Sequence, residues 1–305
     1  MDDITPENSG EKLDDLTVSK DEELSLTPDI EDDTVKPPVK EPKKKPKTKL
    51  LVMILLPLLF LCVSTFVFLL VSAFLRVRNA ETAEYKRVMP EVQDVVSIEL
   101  PLSDVQIIES DTSEMNISLQ GPEYFIASLR LTEFFSTTKL GTRYFSPASS
   151  PFIRMFSRDE QLSGTISIPT GVALELIVDN ESIIRVDGVS TTYQVEADGD
   201  SQVIITNSSV ENGIFSLNSN AHVEIADCQG NLSLVVKDKG DFVAEKCLLE
   251  EITIDVDGTG SIEIQDGTIT NGFISMSGKG SIVIPRPSER TRQDVDGTGE
   301  VQFLN

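Results

Sequence analysis

The sequence predicts an all-β chain, a single-stranded parallel β-helix or solenoid with coils of about 20 residues, preceded by one transmembrane α-helix and a disordered N-terminal tail. Three observations predict it: a long uncharged apolar run, short alternating apolar segments beyond that run, and small residues recurring every 19 or 20 positions. The predicted segments are a tail at 1–49, a helix at 50–75, a stalk at 76–91 and a solenoid at 92–305, with regular coils at 163–305.

The N-terminal tail is acidic and then rich in lysine and proline. Residues 1–35 carry 13 acidic and 2 basic side chains and no aromatic residue, so they cannot bury enough apolar surface to offset the entropy of ordering. We therefore expect a disordered segment. Two interpretations of it stay open, a solvated acidic tail and a docking segment for a cytoplasmic partner.

The apolar run at 50–75 contains 26 consecutive uncharged residues, more than the roughly 20 needed to cross a hydrocarbon core. A cleaved signal peptide is the alternative, but the run is long and 49 residues precede it. Basic residues are denser before the run than after it, which predicts a cytoplasmic N-terminus and an extracellular or periplasmic C-terminal domain. Membrane lipid is the expected partner of the helix, and two roles of the lysines stay open, setting this topology and binding anionic lipid. The basic residues nearest the run are Lys43, Lys44, Lys45, Lys47 and Lys49.

Seven repeat units follow one another in the C-terminal half. Each unit is too short to hide its own apolar face, so the units must stack. Residues two and four after a small anchor residue are apolar, as Ile262 and Ile264 are, and a second apolar pair such as Ile254 and Val256 precedes the anchor. A small residue there suits a corner with a sharp turn or a positive φ. The anchors are Ser182, Ser201, Ala221, Gly240, Gly260, Gly280 and Gly299.

Aromatic residues concentrate at 124–156, which holds 8 of the 18 Phe and Tyr residues. The end of a solenoid must be covered to prevent open-edge pairing, so these residues are expected in a cap or in the core of the first coil. An exposed contact surface is the alternative. The candidates for either role are Phe134, Phe135, Tyr144, Phe145, Phe152 and Phe156.

Short glycine motifs precede several predicted strands: Asp-Gly-Thr-Gly at 257–260 and 296–299, and Ser-Gly-Lys-Gly at 277–280. With Ser-Ile-Pro at 167–169, they resemble the bacterial adhesin-like β-solenoid domains called auto-transporter adhesin head, or GIN, domains, and related adhesin-like solenoid domains. The resemblance covers roughly 92–305 and implies an adhesin-like surface role. Fold alone does not establish function.

Composition argues against several function classes. A net charge of -24 disfavours nucleic acid as a partner, and with Cys62 inside the apolar run the one His and the two other Cys are too few for a Cys/His zinc site. The period near 20 does not fit the nine-residue repeat of calcium solenoids, so Asp187, Asp198, Asp257 and Asp296 are interpreted as turn residues. No catalytic residue, metal or cofactor is predicted.

Cys228 and Cys247 are 19 residues apart, and each lies seven residues after its anchor. They should therefore occupy the same corner of consecutive coils, within reach of a disulfide. Two states remain open, a disulfide formed in an oxidising compartment and a pair of buried thiols.

The predicted function is non-catalytic binding at the cell surface or envelope, with a glycan or a protein as the ligand. One alternative is an envelope sensor or scaffold that signals through the cytoplasmic tail. Another is a polysaccharide-acting enzyme using the outward carboxylates of Glu224, Glu263 and Asp241.

Overall fold

The computed structural model describes residues 48–142 and 161–304. The chain divides into two units, Met1–Leu55 and Leu56–Asn305, and the strands lie in the second. The helices in the described ranges are α1 (Thr48–Arg78) and α2 (Glu123–Ile126). The strands there are β1 (Thr82–Met89), β2 (Val95–Glu99), β3 (Ser103–Ser110), β4 (Met115–Pro122), β5 (Leu129–Phe134), β6 (Thr137–Thr142), β7 (Leu162–Pro169), β8 (Ala173–Val178), β9 (Ile183–Asp187), β10 (Thr191–Ala197), β11 (Gln202–Thr206), β12 (Val210–Leu217), β13 (His222–Ile225), β14 (Cys228–Asp238), β15 (Asp241–Ala244), β16 (Cys247–Gly258), β17 (Ser261–Ile264), β18 (Gly267–Gly278), β19 (Ser281–Pro285), β20 (Arg290–Gly297) and β21 (Glu300–Leu304).

The strands form two sheets. Sheet I has the order β1-β4-β7-β3-β9-β11-β13-β15-β17-β19-β21, and sheet II has the order β20-β18-β16-β14-β12-β10-β8-β2-β6-β5. From β8 onward each coil contributes one strand to each sheet, and every strand pairs in parallel with its equivalent in the next coil. The predicted solenoid of about 20-residue coils is confirmed.

Alternate side chains of these strands fill the space between the sheets. The apolar pairs on both sides of the anchor are buried, with Ile254, Val256, Ile262 and Ile264 at most 1% exposed. Their burial confirms the inward positions that the alternation predicts.

The anchors lie at the corner where each coil passes from sheet II to sheet I. The sequence indicates a small residue there for a sharp turn or a positive φ, and in the structure the need for a small side chain and the positive φ belong to different residues. A Cβ atom on Gly260 would lie 2.4 Å from the Gly240 carbonyl oxygen and 2.5 Å from Val236 Cγ1. Positive φ falls two residues earlier, at Gly258 with 130° and at Asp238 with 56° in the preceding coil. The anchor is therefore small because the coils pack closely, and the left-handed turn belongs to the residue two positions before it.

The beginning of the solenoid departs from consecutive stacking. β3 lies between β7 and β9, and β2 lies between β6 and β8, so the coil at 95–110 is enclosed by segments that follow it in sequence. The segment at 164–169, which falls within the predicted regular coils at 163–305, is part of β7 and stacks on β3 instead of on β9. Antiparallel pairs β1–β4, β4–β7 and β5–β6 cover this end.

The expected stalk at 76–91 is the end of α1 followed by β1, which pairs with β4 over eight residues. β1 therefore belongs to sheet I and forms its first edge strand. Helix α1 exceeds the predicted span at both ends. Its apolar stretch Leu55–Ser72 is long enough to cross a membrane, and side chains such as Phe60 and Phe68 are 76% and 71% exposed. Thr48 and Lys49 lie in α1, whereas residues 1–47 of the predicted tail, with Lys43, Lys44, Lys45 and Lys47, lie outside the described residues.

We predict that Gly260→Ala lowers the free energy of unfolding by about 1 to 3 kcal/mol, because its Cβ overlaps the preceding coil. Ser201→Ala, at the equivalent anchor, is the control. The Ser201 hydroxyl is buried and has no hydrogen-bond partner among the described residues, so its removal should leave stability unchanged or raise it. Urea unfolding followed by circular dichroism measures both. Equal midpoints for Gly260→Ala and wild type would contradict the packing argument.

Candidate binding surface

The outward side chains of each sheet form columns, because each residue lies over its register partner at about 4.8 Å. A central column of sheet I consists of Arg185, Ile204, Glu224, Val243, Glu263, Val283 and Gln302. A central column of sheet II consists of Glu175, Gln194, Ile214, Ser233, Thr253, Phe273 and Arg292.

The middle of the sheet II column is the strongest candidate site. We call its five residues, Gln194, Ile214, Ser233, Thr253 and Phe273, the central strip. Ile214 is 56% exposed and Phe273 is 40% exposed, although both stand on a polar face. They are three rungs apart, about 14 Å, with two hydroxyl side chains between them. Apolar groups flanking hydroxyls suit an extended ligand that lies along the stacking direction of the coils.

The columns beside the central strip differ in chemistry. One side is rich in amides and contains Thr192, Asn212, Asn231, Glu251, Asn271 and Arg290. The other side carries the exposed carboxylates of Glu196, Asp255 and Asp294. Amides donate and accept hydrogen bonds, and the carboxylates disfavour anions. We therefore expect a neutral or cationic ligand here.

The carboxylates considered for polysaccharide chemistry lie on the opposite face. Glu224 and Glu263 belong to the same sheet I column with Val243 between them, so their backbones are two rungs, about 10 Å, apart. Both are exposed, and Asp241 accepts a 2.6 Å hydrogen bond from the Ser261 hydroxyl. The three side chains thus occupy an open sheet surface, whereas substrate sites are generally concave.

The turn aspartates bind neighbouring coils. Asp187 accepts hydrogen bonds from Thr206 at 3.3 Å and from Asn207 at 2.7 Å. Asp198 accepts one from Ser219 at 2.8 Å, and Asp257 accepts one from Ser277 at 2.7 Å. Within the described ranges, no group of three or more His, Cys, Asp or Glu side chains is placed to hold a metal ion. These aspartates serve as links between successive corners.

Cys228 and Cys247 are register partners in β14 and β16. Their Cα atoms are 4.5 Å apart, both side chains are buried, and the sulfur atoms are bonded. Beside them runs a shallow surface groove of about 500 Å³ lined mainly by Ser, Asn, Gln and Asp, with Leu248 61% exposed at its edge. The disulfide thus joins two consecutive coils at the corner where each coil passes from sheet I to sheet II.

The clustered aromatic residues do not share one environment. Phe125 in α2 is fully buried under the antiparallel strands, as a capping residue would be. Phe134 and Phe135 are 69% and 87% exposed at the β5–β6 turn, with ring centroids 4.3 Å apart. These two side chains are therefore not part of a buried cap, and a contact role for them stays a prediction. Tyr144, Phe145, Phe152 and Phe156 lie outside the described residues.

Sequence reasoning missed the central strip. A signal was present, because Ile214 and Phe273 each precede an inward apolar residue, Phe215 and Ile274, and so interrupt the alternation. Only the register shows that these two interruptions fall in one column.

No known protein family and no curated protein matches this chain. The solved structures that it resembles include three from the genus Parabacteroides. A "putative lipid binding protein" from Parabacteroides distasonis is 14% identical, with a TM-score of 0.47 over 74% of this chain and 97% of that chain. A "putative adhesin" from the same species is 9% identical, with a TM-score of 0.48 over 74% and 98% of the two chains. A "putative adhesin" from Parabacteroides merdae is 12% identical, with a TM-score of 0.44 over 74% and 98%.

We predict that reducing the Cys228–Cys247 disulfide lowers the free energy of unfolding by about 3 kcal/mol, the loop-closure value for a separation near the 19 residues here. Urea unfolding with and without dithiothreitol measures the effect. The variant Cys228→Ala/Cys247→Ala is the control, since dithiothreitol should not alter its midpoint. An unchanged wild-type midpoint would show that the bond does not stabilise the fold.

We also predict alkaline destabilisation through Tyr193. Its hydroxyl donates a 2.5 Å hydrogen bond to the Val189 carbonyl, and burial raises its pKa above the ordinary value near 10.0. The fold therefore favours the neutral phenol, so this contribution is complete below about pH 10 and is lost as the pH rises further. Urea titrations at increasing pH should show a smaller alkaline loss for Tyr193→Phe than for wild type. Identical losses would contradict the assignment.

Proposed function

We propose that this chain is a membrane-anchored, non-catalytic binding module of the cell envelope with an adhesin-like role. The observation that carries the proposal is the central strip, where exposed Ile214 and Phe273 share one outward column with amide and hydroxyl groups. Exposed apolar side chains within a polar face are a common feature of interaction sites.

The chemistry of the central strip suits binding. None of its five side chains ionises near neutral pH, so the strip offers apolar contact and hydrogen bonds, and it offers no group for proton transfer. The repeat along the coils matches a ligand that is itself extended, such as a polysaccharide chain or an extended peptide. The neighbouring carboxylates restrict that ligand to a neutral or cationic one.

Helix α1 supports the membrane anchor. The exposed apolar side chains of Leu55–Ser72 require a surrounding that is not water, and a bilayer core supplies it. Under the positive-inside rule the lysines before the helix support a cytoplasmic N-terminus. The solenoid is then extracellular or periplasmic, where envelope glycans and surface proteins are available.

The test is binding of the full chain, inserted in fluorescent lipid nanodiscs, to intact cells and to isolated envelope glycans. We expect saturable binding that Ile214→Ser/Phe273→Ser weakens about tenfold or more, because the variant removes two apolar contacts. The matched control Ile204→Ser/Val243→Ser makes the same kind of change on the face of sheet I and should bind as wild type does. Equal affinities for the two variants would exclude the central strip, and absence of saturable binding would contradict the proposed function.

A further inference from the structure

The last described coil exposes residues that are buried in every coil before it. Within the described ranges, β20 pairs only with β18, and β21 pairs only with β19. In the inward column of sheet II, Val256 and Met276 are 0% and 1% exposed, whereas Val295 is 42% exposed. The edge strand β20 therefore presents an apolar side chain and a row of backbone donors and acceptors.

The charges of β20 are divided by sign along the strand. Arg290 and Arg292 come first, and Asp294 and Asp296 follow at the same two-residue spacing. All four are exposed, and they share the outward face because alternate residues of a strand point the same way. The intervening Thr291, Gln293 and Val295 continue the inward columns.

This order is self-complementary in one arrangement. In an antiparallel pair of two β20 strands centred on Gln293, Arg290 stands opposite Asp296 and Arg292 stands opposite Asp294 of the other copy. Opposite charges at directly facing positions stabilise such a pair, and like charges destabilise it. A parallel in-register pair would place Arg against Arg and Asp against Asp.

We propose that β20 binds β20 of a second copy of this chain, antiparallel and centred on Gln293, so that sheet II continues from one molecule into the other. The two molecules are related by a two-fold axis through the Gln293 pair. On the inner face of the pair, Thr291 meets Val295 of the second copy and covers it. Each interface contains every Arg–Asp pair twice, because the contact is symmetric.

Charged residues on an edge strand also serve to prevent pairing, and that is the alternative explanation. The two explanations differ in the order of positive and negative side chains that they require along β20. Prevention works with any arrangement, and best with a single sign, whereas β20 carries two charges of each sign, separated into halves. Strand β21 raises no electrostatic conflict with the pairing, since its one charged residue is Glu300 at its start.

The proposal goes beyond the proposed function and does not depend on it, since it uses the edge of the last coil and not the central strip. The experiment uses the full chain at one copy per nanodisc, with mass photometry over a concentration series. Paired discs are expected for wild type. Arg292→Asp and Asp294→Arg should each raise the dissociation constant about tenfold or more, because each replaces two attractive pairs by two repulsive ones.

The double variant Arg292→Asp/Asp294→Arg restores opposite charges and should restore pairing. Asp255→Arg is the matched control, two rungs away in the column of Asp294, and should pair as wild type does. Single discs at all concentrations would overturn the proposal. Failure of the double variant to recover would overturn the register.

A covalent test does not depend on the strength of the charges. In a Cys62→Ala background, Gln293→Cys should form a disulfide-linked dimer under mild oxidation, because the two-fold axis brings position 293 of both copies together. Gln265→Cys, exposed between β17 and β18, is the control and should remain monomeric. Equal crosslinking at the two positions would contradict the antiparallel register.

Discussion

The backbone ladder between consecutive coils is the interaction on which the other features of this protein depend. It holds each residue of a coil over its equivalent in the next coil at about 4.8 Å, so the environment of one position is repeated along the chain. Inward positions then form apolar columns, outward positions form columns of mixed chemistry, and corners bring Asp187 within hydrogen-bond reach of Thr206 and Asn207. The same ladder brings Cys228 next to Cys247.

The close approach of the coils limits what the corners can contain. Gly260 packs against the carbonyl of Gly240, and the left-handed residue two positions earlier reverses the chain. Ser182 is an equally small anchor, but its side chain is polar. Its hydroxyl donates a hydrogen bond to the Leu100 carbonyl at 3.3 Å and accepts one from the Ser103 amide at 3.2 Å. An anchor can therefore be polar where the adjoining coil supplies partners.

The regular coils could be predicted because their determinants are local and repeated. The anchor spacing, the alternation and the long apolar run each indicate one element, and the structure contains these elements. The enclosed position of β3 was not predictable, because it depends on pairing between segments that are far apart in sequence. The same holds for β1, whose sequence Thr-Ala-Glu-Tyr-Lys-Arg-Val-Met lacks a clear alternation. The central strip was missed because its residues are distributed over five coils and become neighbours only through the register.

The enclosed coil also determines how the molecule responds to tension on α1. In a consecutively stacked solenoid the first coil has only one neighbouring coil, so tension on the helix can remove the coils one at a time. Here the coil of β2 and β3 has a neighbour on both sides in both sheets. Drawing it out breaks the β3–β7 and β3–β9 ladders together, as well as both ladders of β2. Tension on α1 is met first by the β1–β4 ladder at the edge of sheet I, and the coil that follows comes free only if its four ladders break together.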